Sequence, residues 1–164
     1  MSIIVTGASG HLGRLAVEAL LRRGVPAADI VATGRDIARI TTFAERGVVV
    51  RQADFEDPRS LAAAFSGRDK LLLISTTSVD ERVANHRRAI DAAVTAGVSL
   101  VAYTSMAHAD TATTIFASPH RATEEYLQER GVPSVLLRNS WYLENYTAQL
   151  PTTSLTDAIA DALR

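Results

Sequence analysis

Near its start the chain reads Thr6-Gly7-Ala8-Ser9-Gly10-His11-Leu12-Gly13, directly after the apolar run Ile3-Ile4-Val5. Glycines at this spacing, between a strand and a helix, suit the pyrophosphate of a dinucleotide. Gly7 permits the tight turn, Gly10 lets the backbone approach the phosphates, and Gly13 allows the helix to sit close to the sheet. Unpaired N–H groups at the helix start and the helix dipole supply the attraction. Backbone contacts are expected from Ser9, His11 and Leu12. The rival reading is a glycine-rich turn that binds nothing. A Walker A loop is excluded, because no Gly-Lys-Ser/Thr follows.

A second group lies about 20 residues beyond the turn, where a ribose 2′ position is normally read. Arg35 there, helped by Arg14, suits a 2′-phosphate and therefore NADP(H) over NAD(H). Arg35 as a solvated cation, with Asp36 as an N-cap or turned toward the ribose, is the alternative. Asp54 ends a later apolar run and suits either the adenine amino group or the cap of a helix after Pro58. Ser75-Thr76-Thr77-Ser78 offers hydroxyls to phosphate or ribose oxygens, or else forms a polar loop capping a helix near Asp80. Trp141 and Tyr142, with Tyr146, stand after the last apolar run, where a ring either stacks over a nicotinamide or closes a core. Asn139 and Asn145 either bind ligand or shape that turn.

These residues need a frame. Apolar β-rich runs at 2–6, 29–33, 48–52, 70–75, 99–103 and 134–138 alternate with helix-patterned segments at 11–23, 36–46, 59–66, 80–96 and 119–130. That rhythm predicts an α/β fold with parallel strands buried on both faces by crossover helices. Gly24, Gly47, Gly67, Gly97 and Gly131 each fall just after a predicted helix, where a left-handed residue ends it. Right-handed crossovers then give a Rossmann-type doubly wound sheet of order 3-2-1-4-5-6, whose ligands bind where strands 1 and 4 diverge.

Composition narrows the function. The 164 residues are 47% hydrophobic and 21% charged, enough for one compact domain. A net charge of -1 and the lack of basic runs among aromatics argue against nucleic acid. There is no cysteine, so no thiol nucleophile or cysteine-bound metal, and the four histidines show no metal-binding spacing. The start carries no signal-like segment and no apolar span reaches membrane length, so a cytoplasmic location is expected.

Several motifs together carry a resemblance: Thr6 to Gly13, Arg51-Gln52-Ala53-Asp54, Leu71-Leu72-Leu73-Ile74-Ser75, Tyr103-Thr104-Ser105 and Leu137-Arg138-Asn139-Ser140-Trp141-Tyr142. From residue 1 to about 149 the chain resembles the atypical short-chain dehydrogenases of the NmrA-like type, most closely their NADPH:quinone oxidoreductase branch. The resemblance implies that Arg35 contacts the 2′-phosphate, that Asp54 and Phe55 lie beside the adenine, and that Ser75, Thr76 and Thr77 cover the adenosine ribose and pyrophosphate. It also implies that Tyr103, Thr104 and Ser105 stand by the nicotinamide. His120 occupies a position where many relatives carry lysine, which suits it to orient substrate or donate a proton, or to pack the start of its helix.

The Tyr-x-x-x-Lys pair of ordinary short-chain dehydrogenases is absent. Tyr103 is followed by Ala107, Tyr126 by Arg130 and Tyr142 by Tyr146. Arg130 does not titrate, so Tyr126 and Arg130 are expected on a solvated helix face. Tyr103, Ser105 and His120 are the remaining catalytic candidates. A quinone needs less acid help than a simple ketone, because the cofactor supplies the hydride.

Residues 1–150 are thus expected to form the NAD(P)-binding domain. Pro151 to Arg164 reads as a helical tail similar to the family's terminal helix, as though an internal substrate-walling segment were missing. Leu155, Ile159 and Leu163 recur at helical spacing, and Ser154 with Asp157 forms a capping pair. Its apolar face needs the domain's own sheet or a second subunit, as in a homodimer. The expected function is NADPH-dependent oxidoreduction of a small molecule such as a quinone, with turnover impaired by the missing wall. A nucleotide-sensing regulator without catalysis is the alternative.

Overall fold

The computed structural model describes residues 1–78 and 80–147. Six strands, β1 (Ile3–Val5), β2 (Ile30–Gly34), β3 (Val49–Gln52), β4 (Lys70–Leu73), β5 (Leu100–Met106) and β6 (Ser134–Asn139), form one sheet of order β3-β2-β1-β4-β5-β6. Every pairing is parallel. The helices are α1 (His11–Arg22), α2 (Thr41–Ala44), α3 (Pro58–Phe65), α4 (Arg82–Thr95), α5 (Ala117–Glu129) and α6 (Glu144–Thr147). The doubly wound Rossmann-type order is as expected from the sequence.

The pleat divides the core. Ile4, Val31, Leu71, Leu73, Val101 and Tyr103 face Leu61 and Phe65 of α3, Ala89 and Ile90 of α4, and Leu127 of α5. Their neighbours Val5, Ile30 and Ala32 point the other way, onto Val17 of α1 and Phe43. Such full burial of a Leu, Ile or Phe side chain contributes about 1.5–3 kcal/mol. No helix among the described residues is long and apolar enough to cross a membrane.

Two expectations about elements need correction. The helix predicted at 36–46 is a 3-10 turn, Ile37–Ile40, followed by the single turn of α2. Asp36 caps the 3-10 turn by accepting from the Ala38 amide, and Ile40, at φ -129°, interrupts the helical path. The sixth strand, at the sheet edge, is not buried on both faces: Val135, Leu136 and Leu137 are all substantially exposed, since burial of a strand's faces depends on the layers packed against them. The five glycines predicted to end helices all have positive φ. The tail at 151–164 lies outside the described residues.

Candidate functional site

The site is built where β1 and β4 lie side by side and their following connections diverge. The Thr6 hydroxyl donates to the Leu72 carbonyl (3.2 Å) and accepts from the Ile74 amide (2.8 Å), tying the two strand ends together. Gly7 then turns at φ +62°, a conformation that a side chain disfavours. The Ala8 amide donates to Thr33 of β2, and the Gly10 amide donates back to the Gly7 carbonyl. A Cβ on Gly13 would stand 2.2 Å from that carbonyl oxygen, so glycine here admits α1 to the turn itself, a closer approach than helix-to-sheet packing alone requires. No side chain caps α1, and its first turn holds no acidic residue. A helix start left so is suited to an anion.

At the end of β2, Arg35 is exposed and has no side-chain hydrogen bond or ion pair among the described residues. Asp36 is committed to its cap. Arg14 is engaged as well: it donates to the Arg39 carbonyl at 3.0 Å and lies over the Phe43 ring, bracing the segment that follows Arg35. Beyond β3, Asp54 accepts from the Glu56 amide and is not the cap of α3, a role taken by Asp57. Phe55 is half-buried, its ring nearly perpendicular to that of His86.

The end of β4 rests on a polar floor that the sequence reading missed. The Ser75 amide donates to the Thr104 hydroxyl (2.8 Å) and the Thr76 amide to His86 Nε2 (3.2 Å), while Arg82 Nε donates to the Thr76 carbonyl (3.0 Å). His86 Nδ1 lies 2.9 Å from the Thr123 hydroxyl. His120 lies between the Tyr103 hydroxyl, 2.7 Å from its Nδ1, and Arg82, 3.4 Å from its Nε2. Burial holds the histidines neutral, His86 at a pKa of about 3 and His120 at about 4, and the Arg82 charge reinforces both shifts. Burial likewise pushes Tyr103 up to about 12. None of the three therefore changes charge near neutral pH. Thr76 brings one hydroxyl that is buried without a partner among the described residues.

Further out on β5, Ser105 donates to Glu124 at 2.6 Å. Glu124 also accepts two bonds from Arg138 of β6, whose remaining nitrogen reaches Asp110. These two carboxylates raise the Arg138 pKa. The network borders an open groove of about 710 Å³ between α5 and β6 that shares no lining residue with the glycine turn. Trp141 (61% exposed) and Tyr142 are exposed instead of closing a core, and Asn139 donates to the Tyr142 hydroxyl. His11 of the turn faces Glu144 of α6 at 3.7 Å, which brings the chain after β6 back over the start of α1. Tyr126 and Arg130, expected on a solvated face, both bind Asp91 and join α5 to α4. No group of three metal-ligating side chains occurs among the described residues.

The parts fit a dinucleotide: an uncapped helix start, a turn kept free of side chains at Gly7 and Gly10, and a partnerless hydroxyl at the β4 end. The NmrA-like family model matches residues 1–160. The chain belongs to the NmrA-like family. It is 46% identical over 149 residues to quinone oxidoreductase 2 of Escherichia coli, covering 91% of this chain and 52% of that protein. The crystal structure of an NADPH-dependent quinone oxidoreductase of E. coli complexed with NADPH superposes with a TM-score of 0.87 at 46% identity, over 92% of this chain and 53% of that one. A Citrobacter triphenylmethane reductase complexed with NADP(H) gives 0.85 at 39% identity, over 88% and 51%. The chain spans about half the length of the curated relatives it matches.

One signal for the missed floor was present. Arg82, Asn85, His86 and Ala89 stand at i, i+3, i+4 and i+7, so three polar side chains continue the buried stripe of α4. His120, Thr123 and Leu127 repeat the pattern on α5. Polar residues in register with an apolar stripe mark a buried network.

Proposed function

We propose that this chain binds a nicotinamide dinucleotide along the ends of β1, β2 and β4, with NADP(H) favoured over NAD(H), and serves an NADPH-dependent reduction of a quinone. The observation that carries the reading is the uncapped start of α1 behind the Gly7–Gly13 turn, placed at the switch point of the sheet. In this reading the amides of Ser9, His11, Leu12 and Gly13 hold the pyrophosphate, with Gly7 and Gly10 keeping the approach clear. Arg35, exposed and without an ion-pair partner among the described residues, takes the 2′-phosphate. Asp54 and Phe55 flank the adenine. Ser75, Thr76 and Thr77 hold the ribose and phosphate oxygens, while Tyr103, Thr104 and Ser105 support the nicotinamide end. Trp141, Tyr142 and Asn139 border the substrate.

The bound cofactor supplies the hydride. What the chain adds is position and a fixed positive charge at Arg82. His120 and Tyr103 hold no charge through the neutral range, so any proton that either gives during reduction is replaced from solvent. That limitation favours a quinone, which accepts hydride readily, over a simple ketone. NADPH oxidation with a benzoquinone acceptor tests the reading, with Gly10→Asp as the control. Oxidation by the parent protein and its loss in the variant are expected. Oxidation no faster than the control rejects the catalytic reading and leaves a nucleotide-sensing role, which would share the turn and Arg35.

A further inference from the structure

The direction of each hydrogen bond beneath the β4 end follows from which groups can donate. Arg82 is only 7% exposed, and no carboxylate lies within ion-pair distance of it among the described residues. Its Nε is spent on the Thr76 carbonyl, and its Nη1 faces His120 Nε2. A guanidinium has donors and no acceptor, so the nitrogen facing it must present a lone pair. The His120 proton therefore sits on Nδ1, where it is donated to the Tyr103 oxygen 2.7 Å away. The phenol proton must then go elsewhere, and the hydroxyls of Ser75 and Thr123 are its neighbours.

The same logic orients the adjoining branch. A backbone amide only donates, so the Thr76 N–H makes His86 Nε2 the acceptor and leaves the His86 proton on Nδ1. That proton goes to the Thr123 hydroxyl, whose own proton is donated to the Pro119 carbonyl at 2.9 Å. Thr123 is thus already an acceptor and a donor inside the core. Ser75, partly exposed at the end of β4, sets its own hydroxyl against the Thr76 carbonyl at 3.4 Å.

We propose that Arg82 is a positioning residue: it locks His120 in the Nδ1–H tautomer and so makes the Tyr103 hydroxyl an acceptor from His120, while the same guanidinium holds the Thr76 carbonyl at the β4 end. Two link directions, Arg82 to His120 and His120 to Tyr103, rest on geometry alone. The link to nucleotide binding, through the Thr76 carbonyl that Arg82 also holds, rests on the dinucleotide reading. The groups facing His120 are Arg82 and His86 from α4, Tyr103 from β5 and Glu124 on its own helix. Of these Glu124 alone favours a charged imidazole, and it is held by Arg138 and Ser105.

The test is a long-range ¹H–¹⁵N spectrum of the full chain, titrated with acid, for the parent protein, Arg82→Met and Arg82→Lys. The parent should show His120 as Nδ1–H, staying neutral down to pH 5. Arg82→Met should lose the fixed tautomer and raise the His120 pKa by about one unit, since both the donor and the repelling charge are gone. Arg82→Lys, which keeps both, should restore the parent tautomer. NADPH affinity should fall about fivefold in Arg82→Met, the worth of one hydrogen bond. An Nε2–H tautomer in the parent overturns the proposal, and that result needs no variant to fold. An unchanged tautomer and pKa in Arg82→Met also overturns it. If the parent fails to bind NADPH while Arg82→Met releases the tautomer, the dinucleotide reading falls and the role of Arg82 stands.

Discussion

Lowering the pH from 7 to 5 should weaken this fold by about 4 kcal/mol, and two buried histidines should account for nearly all of it. In the unfolded chain each has a pKa of about 6.5. In the fold His86 is depressed to about 3 and His120 to about 4, chiefly by burial. Above pH 6.5 both states hold neutral rings and the histidines add no pH dependence. As the pH falls below 6.5 the unfolded state takes up protons that the folded state refuses, so stability is lost progressively until the folded pKa values are reached. Between pH 7 and 5 that linkage amounts to about 1.9 kcal/mol for each ring. The window lies above the range where ordinary carboxylates titrate, so the histidines dominate it. Urea unfolding at the two pH values measures the difference directly, and in a chain of this size thermal unfolding should shift by about 8–16 °C. A double variant, His86→Gln with His120→Gln, should be less stable at pH 7 but flat across the window. A parent protein that loses less than about 1 kcal/mol between pH 7 and 5 would refute the neutral, buried floor.

Other substitutions probe separate parts. Gly13→Ala drives a methyl to 2.2 Å from the Gly7 carbonyl oxygen, a backbone clash, and should cost about 1–3 kcal/mol in urea unfolding along with nucleotide binding. Arg35→Ala should weaken NADPH about 10- to 100-fold in a binding titration, the worth of charge-assisted contacts to a phosphate, and leave NADH unchanged. Phe65→Ala empties the core between α3 and the sheet and should cost about 3–5 kcal/mol without altering cofactor preference.

The frame and its glycine turn were legible because they depend on local patterns. Short apolar strands, glycines past helix ends and a turn of three spaced glycines each report on a few consecutive residues, and parallel crossovers leave few ways to order the strands. The region after Gly34 was less legible. Asp36 had two possible partners in sequence, and the nearby Ala38 amide is the one it takes. For the same reason Asp57, not Asp54, caps α3. The polar floor was hidden because its members come from β4, α4, β5 and α5, and only packing reveals that Arg82, His86, His120 and Tyr103 meet. The exposure of β6 was missed by treating every apolar run as a two-sided strand, although burial of a strand's faces depends on the layers packed against them, which the run itself does not show.

The central claim is that the Gly7–Gly13 turn holds a dinucleotide, and calorimetric titration of the parent protein and Gly10→Asp with NADPH tests it most directly. Gly10 has φ -87° and is solvent-exposed, so aspartate there needs only a small yield against the Gly7 carbonyl oxygen, 3.3 Å from the new Cβ, while it sets a carboxylate at the helix start. Saturable NADPH binding by the parent and none by the folded variant are expected. Equal binding by both, or none by either, would contradict it.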